Sequence, residues 1–448
     1  MTHTTQDDRR YDEHEAAPEP TSSRRERSAA TTVEPLLVRL LGPEPPMQVV
    51  LWDGSTFGRP DGVGTLRITS PSALRRILWA PGELGLARAY VAGEIEAEGD
   101  MIALVAALRD LRPKNLGAST VGVSLRVARR ARALGRPLPP PPEEAKVRGR
   151  KHSKARDQQA VRHHYDVGND FYELVLGEAM TYSCAYFDRP DRSLPEAQAA
   201  KHELVCRKLG LHERRGARLL DVGCGWGSMA IHAAKHHGAS VVGITISPEQ
   251  ASRATERAAA AGVADRVEIR LQDYRDLAGE AFDAISSIGM FEHVGKQRMR
   301  EYFEVLGAHL TSGGRLLNHA ISSRNGSALS GRSFTGRYVF PDGELLDVGE
   351  VVLAMEDAGF EVRDVESLRE HYAQTLRHWV ANLEAGWEQA VRLVGDARAR
   401  VWRLYMAGSA VGFEDGGISI HQVLGTLPTA DGVSGMPRTR AEWVAPGT

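Results

Sequence analysis

The chain has 448 residues, 42% hydrophobic and 25% charged, which is enough for two or three domains with real cores. No run of 18 uncharged apolar residues occurs and the first thirty residues hold no apolar stretch, so neither a membrane-spanning helix nor a secretory leader is expected. Three unevenly spaced cysteines (Cys184, Cys206, Cys224) make neither a disulfide framework nor a CxxC-type zinc site, and a net charge of −2 excludes a uniformly basic nucleic-acid binder, so a cytoplasmic protein without a metal is expected.

Residues 1–32 are rich in Glu, Arg, Ser, Thr and Pro, offer too little apolar surface to fold, and are expected to be a disordered tail. From 33 to 110, short β-like stretches (Val49-Val50-Leu51 and Thr65-Leu66-Arg67-Ile68) and a helix start at Ser70-Pro71 indicate a small α+β domain. Residues 111–160 read as a stiff linker, because 137–142 are proline except for Leu138. Residues 109–162 carry 15 Lys+Arg against 4 Asp+Glu, a net of +11 that leaves −13 for the remainder. Such a stretch is either a solvated connection or a surface for anionic lipid, and the scattered Val121, Leu125, Val127 and Leu134 do not decide between them.

Strands then alternate with helices. Strands are expected at Arg218–Val222, 240–244, Val267–Leu271, Phe282–Ile288 and 315–320. Helices are expected at Ser228–His237, from Ser247-Pro248-Glu249-Gln250 to Gly262, and over 297–310. The alternation predicts an α/β fold, a doubly wound parallel sheet covered on both faces, in a domain spanning 161–430 with a tail at 431–448.

The sequence Asp221-Val222-Gly223-Cys224-Gly225-Trp226-Gly227 lies where the first of these strands gives way to a helix, the place where doubly wound sheets bind ligands. It departs from the dinucleotide fingerprint, and no acid ends the second strand to grip an NAD ribose. The arrangement is similar to motif I of class I S-adenosylmethionine (SAM) methyltransferases. That likeness implies SAM at Asp221, Gly223, Gly225 and Gly227, with Thr245, Ile246 and Gln250 near the ribose and Asp273 and Tyr274 beside the adenine.

Four further motifs stand around it: His163-His164-Tyr165-Asp166-Val167-Gly168-Asn169-Asp170-Phe171-Tyr172, Met180-Thr181-Tyr182-Ser183-Cys184, Gly289-Met290-Phe291-Glu292-His293-Val294-Gly295, and Asn318-His319-Ala320-Ile321. Together with the loop these resemble the cyclopropane-fatty-acid synthase family, which includes mycolic-acid-modifying enzymes and fatty-acid-branching methylases. The likeness covers roughly 155–425, and Leu84-Gly85-Leu86-Ala87-Arg88-Ala89-Tyr90 looks like the amino-terminal domain of the longer, phospholipid-acting members. The implied reaction is attack of a cis alkene on the SAM methyl group, leaving a carbocation that must lose a proton. The resemblance assigns that proton to a bound bicarbonate held by Cys184, Glu292, His319 and Tyr372 with the backbone of Ile321, and puts Tyr182 and Ser183 against SAM. A carboxylate cannot hold an anion as a mere acceptor, so Glu292 must meet the bicarbonate hydroxyl or be protonated. Singly, Cys184 reads equally well as a small core residue, Glu292-His293 as a helix-start pair and Tyr372 as a half-buried aromatic.

Two departures bear on the product. Ser409 stands where cyclopropane synthases usually carry a cysteine, and Glu178 where they usually have proline, which offers a second candidate base. Direct closure with loss of a proton gives a cyclopropane, whereas a hydride shift followed by loss of a methyl proton gives a methylene branch. The departures look more like the branching methylases. Phe291, Trp379 and Trp387 are candidates for lining an acyl channel. The expected partners are an unsaturated phospholipid, an anionic membrane surface on whose inner face the protein would sit, a reductase for a methylene product and a second copy of the chain. A methyltransferase for a soluble small molecule is the competing reading; it would not need the amino-terminal domain or the basic stretch.

Overall fold

The computed structural model describes residues 28–111, 118–131, 133–147, 149–165, 167–324, 326–328 and 333–442. Most of the expected tail at 1–32, and the end of the one at 431–448, lie outside them.

The described chain begins earlier than expected. Helix α1 (Ala29–Leu41) opens at Ser28, whose hydroxyl accepts from the Thr31 N–H at 3.3 Å, so residues 29–32 are helical rather than part of a tail. A four-stranded sheet in the order β2-β1-β3-β4 follows, made of β1 (Gln48–Val50), β2 (Thr56–Gly58), β3 (Gly64–Ile68) and β4 (Ile95–Gly99). Helices α2 (Ser72–Trp79) and α3 (Glu83–Val91) join its last two strands. Helix α4 (Met101–Asp110) comes next, capped by Asp100, whose Oδ1 accepts from the N–H groups of Ile102 (2.8 Å) and Ala103 (3.1 Å).

The stretch expected as a linker contains helix α5 (Ala118–Arg130), whose Val127 and Ala128 are buried with Val33 and Leu36 of α1. The proline segment beyond it is docked. Arg76 donates to the Pro139 carbonyl at 2.8 Å, the Trp79 indole to Gly135 at 3.0 Å, and Arg88 forks onto Glu144 at 2.9 and 2.7 Å. These contacts satisfy carbonyls that prolines cannot pair in regular structure.

Helices α6 (Lys154–Tyr165), α7 (Asn169–Leu176) and α8 (Leu194–Lys208) lead into the large sheet. Its first half is β5 (Arg218–Val222), α9 (Ser228–His237), β6 (Ser240–Thr245), α10 (Pro248–Ala260), β7 (Val267–Leu271), β8 (Phe282–Ile288), α11 (Met299–Ala308) and β9 (Leu310–Ser322). After β10 (Ser327–Ala328), α12 (Phe334–Tyr338), β11 (Glu344–Leu345) and α13 (Val348–Asp357) come β12 (Glu361–Ser367), the helices α14 (Arg369–Ala385), α15 (Trp387–Val394) and α16 (Asp396–Glu414), and finally β13 (Ser419–Thr426). The strand order is β12-β13-β9-β8-β5-β6-β7. The five strands from β5 to β9 are parallel as expected, but β13 runs antiparallel between β9 and β12, so the sheet is mixed.

The amino-terminal unit has a cluster of its own between α1, α2, α5 and its sheet, and joins the catalytic domain through α3 and α4. Tyr90 and Met101 from α3 and α4 share one apolar cluster with Phe171, Trp379, Trp402 and Met406. Arg400 lies over the Tyr90 ring at 5.5 Å, and Arg403 donates to the Ala97 carbonyl at 3.1 Å.

Candidate active site

A cavity opens beyond the carboxyl ends of β5, β6, β7 and β8, lined by the loop after β5 and by residues from α6, α8 and the segment 180–183. Gly223, Gly225 and Gly227 have φ of 73°, 55° and 79°, the left-handed region where side chains are strained. The loop is fastened from behind, because the N–H groups of Gly223 and Cys224 both donate to the Ile244 carbonyl, at 2.9 and 3.0 Å. A Cβ at Gly225 would meet nothing within 4 Å, so this glycine borders open space. Asp221 is buried; its Oδ1 accepts from the Ser286 hydroxyl at 2.7 Å while Oδ2 has no partner, and burial pushes its carboxyl up to about 6. An orphaned buried carboxylate oxygen beside a glycine cradle fits the ammonium end of SAM.

Thr245 and Gln250 are joined at 2.8 Å, and the Ser247 hydroxyl caps α10 by accepting from the Gln250 N–H at 3.3 Å. Ile246 lines the cavity with them. Asp273 and Tyr274 also line it, but Asp273 is engaged by Arg275, which donates to Oδ1 at 2.8 Å and to Oδ2 at 2.6 Å. Arg275 reaches on to Asp157 of α6 at 3.1 Å, tying that helix across the adenine side.

Arg257 of α10 holds the other wall. It donates to the carbonyls of Trp226 (2.5 Å), Ala179 (2.8 Å) and Glu178 (3.2 Å), which sets Tyr182 and Ser183 against the glycine loop. Met180, in the same turn, has φ of 46° and is the one bulky residue around the cavity held in the left-handed region among the described residues. This geometry corrects the reading of Glu178: only its backbone is engaged, its carboxylate is exposed, and it does not line the cavity. An exposed carboxylate is no base for a dry site.

Next to the cavity lies an aromatic cage. The Tyr182 ring is 5.3 Å from Trp379, 5.5 Å from His164 and 5.6 Å from Tyr172 between centroids, and Tyr372 lies edge-on to Trp379 at 5.9 Å. Glu292, in the 3-10 turn Phe291–His293, is half-buried with its Oε2 shielded from solvent. Its Oε1 accepts from the Ile321 N–H at 2.7 Å and its Oε2 has no partner. Burial pushes Glu292 up to about 7, against the pull of the Ile321 N–H. The expectation that this N–H helps hold an anion is therefore corrected: the carboxyl of Glu292 takes it.

His319, two residues earlier on the same face of β9, is buried with Nδ1 3.2 Å from the Gln422 amide and Nε2 without a partner. With Gln422 donating to Nδ1, the Nε2 carries the proton and is an orphaned donor. Burial holds the Tyr372 hydroxyl well above its ordinary value, with Tyr405, Cys184 and Glu292 adding to the effect, so these groups are neighbours. The buried Cys184 thiol points to the carbonyls of Ala185 (3.1 Å) and Leu368 (3.6 Å). Orphaned Glu292 Oε2 and His319 Nε2 fit a small hydroxylated anion such as bicarbonate. Of the channel candidates, Trp379 stands in the cage. Phe291 instead packs on Tyr302 and Phe303 in the core behind it, and Trp387 lies under Arg403.

Residues 152–423 match the family model described as mycolic acid cyclopropane synthetase, 272 of the 448 residues. The chain belongs to that family. It is 42% identical over 407 residues to a "Probable fatty acid methyltransferase Rv3720" of Mycobacterium tuberculosis, covering 88% of this chain and 93% of the relative. It is 32% identical to the "Tuberculostearic acid methyltransferase UfaA1" of the same organism, covering 88% and 91%. Among solved structures, the mycolic acid cyclopropane synthase CmaA1 complexed with SAH and CTAB is 34% identical, with a TM-score of 0.56 over 60% of this chain and 97% of that one. Membership makes this chain a SAM-dependent methyltransferase of the cyclopropane-synthase type, an enzyme that modifies fatty acyl chains.

In this family setting one residue stands out that the motifs did not reveal. Lys201 of α8 is 1% exposed, lines the SAM cavity, and donates to the Ser183 hydroxyl at 3.1 Å; burial pulls it down to about 8, with Asp221 opposing. Its signal was available in Ala197, Lys201, Leu204, Val205 and Lys208, a lysine at core spacing on a helix. Lys208, also 1% exposed, is accounted for by Asp364 at 2.9 Å and Glu366 at 2.5 Å.

Proposed function

We propose that this enzyme methylates the cis double bond of an unsaturated acyl chain carried on a phospholipid, and that its product is methylene-branched rather than a cyclopropane. The observation that carries the reading is the cluster of packed aromatic rings beside the SAM cavity, with Glu292 close to Tyr372 and Tyr405 and held by the Ile321 N–H. Bound SAM supplies an electrophilic methyl group. The chain's own residues do the rest. The rings of Tyr182, Trp379 and Tyr372 exclude water and present π faces to a developing cation. The glycine loop, Asp221 and Gln250 orient the cofactor, and Glu292 receives or passes on the departing proton. Cys184, Glu292, His319 and Tyr372 would hold a bicarbonate, which supplies a proton acceptor within the cage.

The preference for branching rests on one departure, Ser409 on α16. Ser409 neighbours Tyr405, whose hydroxyl burial pushes up to about 12 against the pull of the Tyr182 and Ser409 hydroxyls. A hydroxyl in place of a thiol therefore sits on the wall of the cage. A relative bearing the name of a tuberculostearic acid methyltransferase supports the same direction.

The phospholipid reading is supported by a surface narrower than the one expected from charge alone. Lys151, Lys154 and Arg156 are paired with Glu344 (2.5 Å), Asp276 (2.5 Å) and Asp342 (2.9 Å), which engages three residues of the later part of the basic stretch. Arg126, Arg129, Arg130 and Arg136 are exposed, next to Leu134 (52% exposed) and Trp79 (58%). No helix among the described residues is long and apolar enough to cross a membrane.

Incubation with methyl-labelled SAM and vesicles of a monounsaturated phospholipid, followed by mass spectrometry of the released acyl chains, tests the proposal. We expect label in a methylene-branched chain. A cyclopropane product would overturn the branching assignment, and label confined to water-soluble acceptors would overturn the lipid assignment.

A further inference from the structure

Helices α8 and α9 carry a cluster of ligating side chains that methyl transfer does not use. Glu203 and Cys206 lie one turn apart on α8, and His232 and His237 project toward them from α9. The Cys206 sulfur and one ring nitrogen from each histidine lie within 4.8 Å of one another. Glu203 Oε2 is 3.4 Å from His232 Nε2 and 2.9 Å from His237 Nε2, while Arg207 holds Oε1 at 2.7 Å. In a tetrahedral site with bonds of about 2.0–2.3 Å, neighbouring donor atoms stand roughly 3.3–3.8 Å apart. The contacts of Glu203 with the two histidines hold their rings in place, and the pairs among Cys206, His232 and His237 need to close by at most about 1.5 Å, within reach of a rotamer adjustment.

We propose that Cys206, His232 and His237 bind a divalent transition-metal ion of the zinc type, which fastens α8 to α9, with Glu203 orienting the two imidazoles. The donor set decides the class of ion: one thiolate and two imidazoles suit zinc, whereas magnesium and calcium take oxygen donors. Coordination through Cys206 releases its thiol proton to solvent, and the metal keeps its oxidation state. None of the three donors lines the SAM cavity, so the site is structural. It is also shielded, with Cys206 fully buried and the side chains of His237 and His232 only 7% and 14% exposed.

The placement gives the ion something to hold. Helix α8 carries Lys201 into the SAM cavity, and α9 starts at Gly227, the last glycine of the SAM loop. A metal tie between the two helices fixes the frame of that loop from the side away from the chemistry. The counting of cysteines in the sequence missed the cluster because only one of its three donors is a cysteine, and because His237 meets His232 only where α9 ends, before the left-handed Gly238.

The test uses the untagged full chain stripped with chelator and titrated with cobalt(II), then with zinc(II). We expect one cobalt per chain, with the tetrahedral visible bands and a thiolate-to-cobalt charge-transfer band, displaced by one equivalent of zinc. Cys206→Ser should lose the charge-transfer band. His237→Ala, a milder change nearer the surface, should weaken binding at least roughly tenfold, the scale on which even outer-shell partners act. Zinc should raise the melting temperature of the unaltered protein and not of His237→Ala. Sub-stoichiometric binding, a charge-transfer band that survives in Cys206→Ser, or equal affinity in the His237→Ala protein would leave only an ion pair between Glu203 and the histidines and overturn the proposal.

Discussion

Glu292 faces two opposed demands: burial favours its neutral form, while the Ile321 N–H favours the carboxylate, and the balance falls at about 7. That balance suits a group that exchanges a proton at working pH. It also has a consequence for stability. Its ordinary value is 4.5, so the folded state holds a proton more tightly than the unfolded chain; this contribution is present below about 4.5 and is lost as pH rises through about 7. Glu292→Gln removes the ionisation. We expect that variant to be more stable than the unaltered protein above pH 7, by up to roughly 3 kcal/mol, and about equally stable near pH 4. It should bind SAM normally yet turn over roughly 10²-fold more slowly, as bicarbonate depletion should also make the unaltered enzyme do. Chemical melts at two pH values and single-turnover assays read both effects. A Glu292→Gln protein with near-normal turnover would remove Glu292 from the chemistry.

At the scale of elements, the glycine loop works because β5 delivers it, Ile244 pins it from behind and α9 leaves it at Gly227. Gly225→Val would force a β-branched residue to φ of 55° and put its side chain into the space bordering the cofactor. We expect a folded protein with SAM affinity reduced at least roughly tenfold by calorimetry; an unchanged affinity would move the cofactor elsewhere. This element was legible in the sequence because strand, glycines and helix start are adjacent in the chain, and β5, β7, β8 and α9 were placed to the residue. Lys201 was not, since a lysine on the apolar face of α8 shows its purpose only when Ser183 and Asp221 are folded against it. The antiparallel β13 was equally hidden. Its direction follows from α14 to α16, three helices of an insertion whose packing on α4 and α7 is long-range. Glu178 was misread for the opposite reason. Its neighbourhood to Cys184 in sequence is real, but Arg257 turns the chain there so that the carbonyl points in and the carboxylate out.

For the molecule as a whole, helices α3 and α4 of the amino-terminal unit share an apolar cluster with the catalytic domain, while the unit's exposed basic face rests on its own cluster of α1, α2 and α5. That face joins Arg126, Arg129 and Arg130 of α5 to Arg136, Leu134 and Trp79, while Lys151, Lys154 and Arg156 pair with carboxylates of the catalytic domain. Each basic residue near an anionic surface contributes on the order of 1 kcal/mol, so replacing Arg126, Arg129 and Arg130 with glutamine should weaken binding to anionic vesicles by roughly 10²-fold at low salt. The unaltered protein should show the same loss as salt shortens the Debye length from about 10 Å at 0.1 M toward about 3 Å at 1 M. The triple variant should lose most of that salt dependence while turning over detergent-dispersed lipid normally, because none of the three residues approaches the SAM cavity. Trp79→Ser should remove a part of the affinity that salt does not touch, since an indole anchors by burial rather than charge. Sedimentation with vesicles of graded anionic content, read with activity on the same vesicles, separates the two parts. Binding indifferent to salt and to the triple change would mean that the lipid reaches the cage from another face.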